Sequence, residues 1–207
     1  MRKAVLISIQ PKWCELIVNG KKTVEVRKSR PKLETPFKCY IYCTKSPIGW
    51  FFMNSPDVRR DGKVIGEYTC DKIERFSVTT DDNSTISEKD MVNKSCMTIH
   101  ELAQYELDAI PKEFTIYKIG VYGWHISDLK IYDRPKDLNE FEGLRKTKFG
   151  YEPIEIKRPP QSWRYVEELK EITELLKGAS KPIANDVLAS ATPEGKEYIE
   201  GFTLMQG

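Results

Sequence analysis

The sequence predicts a mainly β protein of the α+β class: a small, partly closed β-barrel with short inserted helices, followed by a C-terminal, partly helical extension. Short runs of β-branched and aromatic residues dominate the first 133 residues. Only two brief segments in that part have helical spacing. After Asp133 the chain changes to proline-punctuated and helix-like segments. We therefore expect a domain over residues 1–133 and an extension over residues 134–207.

The first elements follow closely on one another. Lys3–Ile9 alternates apolar residues in the manner of a strand. Pro11 suits the first turn of a short helix, which the Asn19-Gly20 pair would end. A second strand is predicted at once, over Lys22–Lys28.

Three further β regions are predicted, over residues 38–44, 63–79 and 115–132. Gly66 interrupts the second of them and indicates a bulge or a close backbone approach.

Helical signals are few. Thr98 and Glu101 form a capping-box pattern that opens a helix reaching about Tyr105. In the extension, residues 135–141 and 166–176 have helical spacing.

Composition limits the class of protein. Hydrophobic residues make up 40% and charged residues 31% of the chain, and no apolar run approaches the roughly 20 residues of a membrane span. The apolar stretch Ala4–Ile9 is too short for a signal peptide. Five cysteines without a Cys-x-x-Cys pair, and only two histidines, favour reduced thiols and no metal site. We therefore expect a cytoplasmic protein with no cofactor and no membrane contact.

Positive charge is concentrated in one segment. From Gly20 to Lys32 there are six basic residues and one acid, Glu25. A second basic cluster is formed by Arg145, Lys146 and Lys148. This distribution suits a polyanionic partner, although a solvated charged face would give the same pattern.

The segment Gly20–Arg27 carries the strongest functional signal. In an extended strand, Thr23, Glu25 and Arg27 share one face, because side chains alternate in direction. The turn at Gly20 would bring Lys22 over that face and form a Lys/Glu/Arg cluster at the mouth of the barrel. Such a cluster can recognise a planar polar ligand. The alternative is a surface salt bridge of little energetic value.

Gly20, Lys22, Glu25 and Arg27 match the G-x-K-x-x-E-x-R motif, and on this ground the chain resembles the ASCH family, which is related to PUA domains. Val64-Ile-Gly-Glu67 and Gly123-Trp-His-Ile126 resemble later strands of the same family. The resemblance covers about residues 3–133. It implies a PUA-like barrel, and a cleft that binds RNA, another single-stranded nucleic acid or a nucleotide-like ligand, in a bacterial or phage protein.

The residues expected to contact such a ligand lie in two places. Trp124 could stack on a base, although a tryptophan of the core is an equal alternative. Its neighbour His125 would point to the opposite face of the strand. The expected ligand-binding residues are therefore Lys22, Thr23, Glu25, Arg27, Lys28, Trp124 and His125.

Catalysis is the second hypothesis. One ASCH branch that this chain resembles hydrolyses N4-acetylcytidine with a lysine, a threonine and a glutamate. The lysine falls on Lys22, but the threonine position is Glu25 and the glutamate position falls on Ser95. The resemblance thus favours binding over hydrolysis of a modified nucleoside or RNA; in an enzyme, Lys22 and Glu25 would be the reacting pair.

A third hypothesis is a protein-interaction adaptor, in which the aromatic run Trp50-Phe51-Phe52 would form the contact surface. The sequence does not indicate which protein would be the partner or what the oligomeric state is.

Overall fold

The computed structural model describes residues 2–47, 59–78, 84–108 and 120–169 of the 207-residue chain. The aromatic run at residues 50–52 lies outside the described residues, as does the chain from residue 170 onward. The chain divides into a unit of residues 1–168 and a unit of residues 169–207. The fold is therefore that of the first unit.

Strands dominate the described residues, and the mainly β, α+β class is confirmed. The helices are α1 (Pro11–Val18), α2 (Glu88–Ser95) and α3 (Ile99–Leu107), with a 3-10 helix at Leu138–Glu140. The strands are β1 (Lys3–Ile9), β2 (Val24–Arg27), β3 (Phe37–Cys43), β4 (Val64–Cys70), β5 (Ile73–Phe76), β6 (Val121–His125), β7 (Ser127–Lys136), β8 (Glu142–Thr147), β9 (Gly150–Glu155) and β10 (Trp163–Glu167).

The strands form two sheets. The larger has the order β7-β4-β3-β1-β10-β8-β9, and the smaller has the order β2-β6-β5. β1 runs parallel to β3, and its other neighbour, β10, is antiparallel. Neither sheet closes on itself among the described strands, so the expected barrel is observed only as this pair of sheets.

The central position of β1 explains its burial. Ala4 to Ile9 are all buried, because both edges of the strand are paired and both faces are covered. Val5 and Ile7 join the main core with α1 residues Cys14 and Ile17. Burial of this strand holds its C-terminal end, from Ser8 onward, at the edge where the candidate site lies.

Two of the three helices agree with the sequence signals. Pro11 lies in the first turn of α1, and Gly20 follows it with a φ of +68°. Thr98 and Glu101 form the predicted capping box of α3. Helix α2 was not predicted, because its sequence is polar and lacks an apolar stripe; the side chain of Ser87 caps it by accepting from the Asp90 N–H.

The structure differs from the prediction after residue 133. β8, β9 and β10 belong to the larger sheet, and β10 lies between β1 and β8. Val166, which was expected in a helix, pairs with Ala4 and Gly143. The segment pairs with β1 on one side and with β8 on the other. These backbone hydrogen bonds outweigh the helical spacing of its side chains. The sheet therefore continues beyond the expected boundary at residue 133.

None of the helices within the described ranges is long and apolar enough to span a membrane.

Candidate functional site

The motif segment enters the protein through a tight turn after α1. The N–H groups of Lys21 and Lys22 both donate to Leu16 O, at 2.9 and 3.0 Å. Thr23 N then donates to Lys94 O at 2.8 Å, at the end of α2. These backbone bonds turn the Lys22 side chain inward, and only 1% of it is exposed.

Lys22, Glu25 and Arg27 form a buried ionic cluster, called the charged triad below. Arg27 Nη2 lies 2.9 Å from Glu25 Oε1, and Lys22 Nζ lies 3.4 Å from Glu25 Oε2. The glutamate and arginine side chains are 7% and 9% exposed. The surface salt bridge considered from sequence is therefore replaced by a buried cluster, in which charge interactions are much stronger.

The two cations are also held by backbone carbonyls. Lys22 Nζ donates to Ser95 O at 2.7 Å, and Arg27 Nη2 donates to Ser8 O at 2.6 Å. A longer contact of 3.5 Å joins Arg27 Nη1 to Ser162 Oγ. The triad thus connects β2 to α2, β1 and the start of β10, and its geometry is fixed by tertiary contacts.

Two atoms of the triad lack a hydrogen-bond partner. Glu25 Oε2 accepts none from the described residues, because Lys22 approaches it without hydrogen-bond geometry. Arg27 Nε likewise donates to no described acceptor. A buried charged group with an open bond is destabilising by about 1–3 kcal/mol or more. The triad therefore contains one unsatisfied acceptor and one unsatisfied donor, and both atoms are shielded from solvent.

The triad forms part of the wall of a cavity of about 560 Å³. Most of the wall is formed by β1 with the following residue Gln10, and by α1, β2 and α3. The remaining residues are Lys22, Thr44, Met97, Asp108 and Gln161. The full lining is Ser8, Ile9, Gln10, Lys12, Trp13, Lys22, Glu25, Val26, Arg27, Thr44, Met97, Glu101, Gln104, Tyr105, Asp108 and Gln161.

Charges of both signs line this cavity. Besides the triad, the exposed Lys12 lies on α1, and the exposed Glu101 and Asp108 lie at the two ends of α3. The Thr98 backbone N–H lowers the pKa of Glu101, with a further contribution from Lys12 and Lys22. The lining therefore combines three cations with three carboxylates.

Two aromatic side chains add flat apolar surface. Trp13 lies on α1, and Lys22 Nζ is 4.9 Å from its ring centroid. Tyr105 lies on α3, and burial raises the pKa of its hydroxyl, so the group stays neutral near pH 7. The cavity can thus offer ring stacking as well as hydrogen bonds.

The other predicted contact residues divide into two pairs. Thr23 and Lys28 are exposed on either side of β2, and Lys28 Nζ lies 4.9 Å from the Tyr105 ring centroid. Lys28 therefore stands beside the cavity, although it does not line it.

Trp124 and His125 are not brought to the cavity. Trp124 is fully buried in the core, with its ring centroid 6.0 Å from that of Phe37. His125 Nε2 lies 2.6 Å from Glu74 Oε2, in the smaller sheet. The core alternative weighed for Trp124 is the one that the structure shows, and His125 is hydrogen-bonded to Glu74 away from the cavity.

Sequence reasoning missed the contribution of α3. Glu101, Gln104, Tyr105 and Asp108 all line the cavity. Their spacing of three and four residues places them on one helix face, a signal that the sequence contained. Nothing in the sequence placed that face opposite β1, however.

No group of three or more His, Cys, Asp or Glu side chains within the described ranges is arranged to hold a metal ion.

Comparisons with known proteins agree with the motif. The ASCH domain model matches residues 7–160, and no curated protein matches the chain. Among solved structures, ASCH from Zymomonas mobilis is 22% identical, over 84% of this chain and 94% of that chain, with a TM-score of 0.45. Two point mutants of it are 23% identical over 86% of this chain and 98% and 96% of theirs, with TM-scores of 0.40. Because the family model matches well over half of its length, the chain belongs to the ASCH family.

Proposed function

We propose that the cavity binds an unpaired base of RNA, or a modified nucleotide, and that the basic loop Lys28–Lys32 contacts the adjoining phosphates. The observation that carries this proposal is the charged triad, which stands in the cavity wall with one unsatisfied acceptor and one unsatisfied donor, both shielded from solvent. Membership of the ASCH family, generally thought to bind RNA, points in the same direction.

The two open atoms suit the edge of a base. Glu25 Oε2 can accept from an exocyclic amine or a ring N–H, while Arg27 Nε can donate to a ring nitrogen or a carbonyl. Bases present such donors and acceptors side by side. Both atoms are shielded from solvent, so a ligand reaches them only if the Glu25 and Arg27 side chains turn toward the cavity. Such a ligand would remove the free-energy cost of their open bonds, so its binding would be selective for the correct edge.

The charge of the lining favours a base over a free phosphate. Three carboxylates offset the three cations, and two of them, Glu101 and Asp108, lie on exposed positions of α3 that an entering anion would meet. A volume of about 560 Å³ is within the usual range for sites that enclose small ligands. Trp13 and Tyr105 supply surfaces on which an unpaired base can stack.

The phosphates have a separate place outside the cavity. Ser29 Oγ accepts from Trp163 Nε1 at 3.1 Å, and Lys32 N donates to Tyr165 Oη at 2.7 Å. These bonds fix the loop on β10 while the side chains of Lys28, Arg30 and Lys32 remain exposed. A fixed loop loses little entropy when it binds a phosphate chain.

The sharpest experiment fills the cavity without disturbing the triad. Gln104 lines the cavity from an exposed position of α3, so Gln104→Trp should block it and leave the core intact. Leu107→Trp is the matched control, because Leu107 is 52% exposed on the same helix and does not line the cavity. Fluorescence anisotropy with a labelled single-stranded RNA of about twelve nucleotides measures binding.

We expect Gln104→Trp to weaken RNA binding at least about tenfold, which corresponds to the loss of one well-placed base contact. Leu107→Trp should bind RNA as tightly as the unaltered protein does. Lys28→Ala should instead reduce the slope of log affinity against log salt by about 0.7, the value for one phosphate of a single strand. Equal binding by both tryptophan variants would refute the cavity as the base site. Failure of the unaltered protein to bind the RNA at low salt would refute the function.

A further inference from the structure

We propose that the β8–β9 turn, residues 147–150, is a second RNA contact, in which Phe149 stacks on an unpaired base outside the cavity. This inference rests on the proposed function and extends it to a longer strand. It assigns a role to a side chain that packing does not explain.

Phe149 stands almost entirely in solvent. Its side chain is 86% exposed, compared with 52% for Leu107 and 38% for Val78. A phenylalanine in that position contributes little to the core and leaves most of its apolar surface in water. Single exposed apolar residues are common on proteins, so the surroundings of this one decide its meaning.

The surroundings are cationic. Arg145, Lys146 and Lys148 are exposed next to the turn, and Lys148 Nζ lies 4.9 Å from the Phe149 ring centroid. An acid of the same hairpin, Glu152, reaches Arg145 only at 3.5 Å, in an exposed and therefore weak pair. An aromatic ring beside a lysine is an arrangement by which single-stranded nucleic acid can be held, through stacking and phosphate contacts together.

The pairing register places this turn at the same end of the sheet as the cavity. β10 is antiparallel to β1, with Ile7 opposite Trp163, and Ser8 N donates to Ser162 O at 2.9 Å. β8 is antiparallel to β10, with Gly143 opposite Val166. The C-terminal end of β8 therefore points in the same direction as the C-terminal end of β1, where Ser8 lines the cavity.

The lateral separation is small. Only β10 lies between β1 and β8, so where Ala4, Val166 and Gly143 pair, β1 and β8 are about 10 Å apart at the usual spacing. The basic loop lies over β10, through the Ser29–Trp163 and Lys32–Tyr165 bonds. One strand of RNA could thus pass from the cavity, along that loop, to Phe149.

A membrane surface is the other partner that an exposed phenylalanine next to lysines would suit. The position of the turn at the cavity end of the sheet favours RNA, because both contacts can then be made by one strand.

The test compares ring chemistry at one exposed position. Phe149→Ala and Phe149→Leu remove the π face, Phe149→Tyr keeps it, and Leu107→Ala is the control at another exposed apolar residue. The probes are the labelled RNA of about twelve nucleotides used above, uridine monophosphate, and phosphatidylserine vesicles. The turn lies in solvent, so the Phe149 variants should keep the melting temperature of the full chain.

We expect Phe149→Ala and Phe149→Leu to weaken binding of the long RNA by about fivefold or more, the loss of one stacked base. Phe149→Tyr and Leu107→Ala should leave it unchanged. Uridine monophosphate, which fills only the cavity, should bind equally to all variants.

Three outcomes overturn the inference. Long RNA that binds Phe149→Ala as tightly as the unaltered protein, yet is weakened by Gln104→Trp, refutes the second contact and leaves the cavity site standing. Retention by Phe149→Leu refutes stacking. Loss of vesicle binding in Phe149→Ala, with RNA binding intact, assigns the turn to a membrane. If the unaltered protein binds no RNA, the proposed function itself fails.

Discussion

Arg27 Nη2 lies 2.9 Å from Glu25 Oε1 inside the protein, where both side chains are less than a tenth exposed. Lys22 stands on the other side of the same carboxylate, so one acid serves two buried cations. This arrangement makes Glu25 the electrostatic centre of the triad. Removal of the Glu25 carboxylate should therefore lower the stability of the fold, whether or not a ligand is bound.

We expect Glu25→Ala to lower the free energy of unfolding by about 3–5 kcal/mol, because Lys22 and Arg27 would remain buried without their counter-charge. The exposed pair of Arg145 and Glu152 provides the control, and Glu152→Ala should cost less than about 1 kcal/mol. Urea denaturation of both variants measures the difference. Similar losses in the two would show that the triad is not strongly coupled.

Two glycines should respond to alanine for different reasons. A Cβ at Gly66 would lie 2.5 Å from Lys130 O, a backbone atom of β7, so the paired strands would have to separate. We expect Gly66→Ala to cost about 2–3 kcal/mol through overpacking. Gly20 has a φ of +68° and nothing within 4 Å of its added Cβ, so Gly20→Ala should cost only about 1 kcal/mol of backbone strain.

Thermal and urea unfolding distinguish these two costs. If Gly20→Ala proved the more damaging substitution, the close approach of β4 and β7 at Gly66 would not be a constraint on the fold.

Cys96 ends helix α2 with a φ of +56°, in the left-handed region that favours glycine. Cys96→Gly should raise the free energy of unfolding by about 0.5–1 kcal/mol, because the strain of the Cβ exceeds the entropy that glycine adds to the unfolded chain. Asp128→Gly, at a φ of +48°, is the control and should gain less, because aspartate tolerates this region. A loss in Cys96→Gly would mean that the contact of its Sγ with Lys21 O, at 3.3 Å, outweighs the strain.

Glu67 should contribute to stability in a pH-dependent way. Burial raises the pKa of this carboxyl, but hydrogen bonds from Tyr132 and Lys38 outweigh burial, and the pKa is lowered. The resulting stabilisation is present above the unfolded-state pKa of about 4.3 and is lost as the pH falls through the lower folded-state pKa.

Tyr132→Phe removes one of those hydrogen bonds and should raise the folded-state pKa of Glu67 toward its ordinary value. We therefore expect a smaller gain in stability between about pH 3 and pH 6 in this variant than in the unaltered chain. Urea denaturation across that range measures the gain. An unchanged pH dependence would show that Lys38 alone holds the carboxylate.

Local signals predicted much of the fold. The strand β1 and the capping box of Thr98 and Glu101 depend on neighbouring residues only, and both were read correctly. Gly66 marks the irregular pairing and the close approach that its sequence context suggested. By contrast, α2 has no apolar stripe to reveal it, and it is defined by its cap and by packing.

Non-local pairing decided the rest of the fold. Val166 has helical spacing but lies in β10, because β1 and β8 both offered it backbone partners. Trp124 looked equally suited to a cleft or a core, and only the packing around Phe37 placed it in the core. Intrinsic strand preferences span only about 1 kcal/mol per residue, so such tertiary contacts outweigh them.

By itself the sequence determined that Lys22, Glu25 and Arg27 would form one cluster, because the turn at Gly20 and the alternation of a strand bring them together within eight residues. Only the tertiary structure decided what the cluster is. Ser8 and Ser95 bind the cations from distant strands and helices, and α3 faces β1 to form the cavity. Burial, the unsatisfied donor and acceptor, and the cavity itself arise from packing between segments far apart in the chain, which no local pattern encodes.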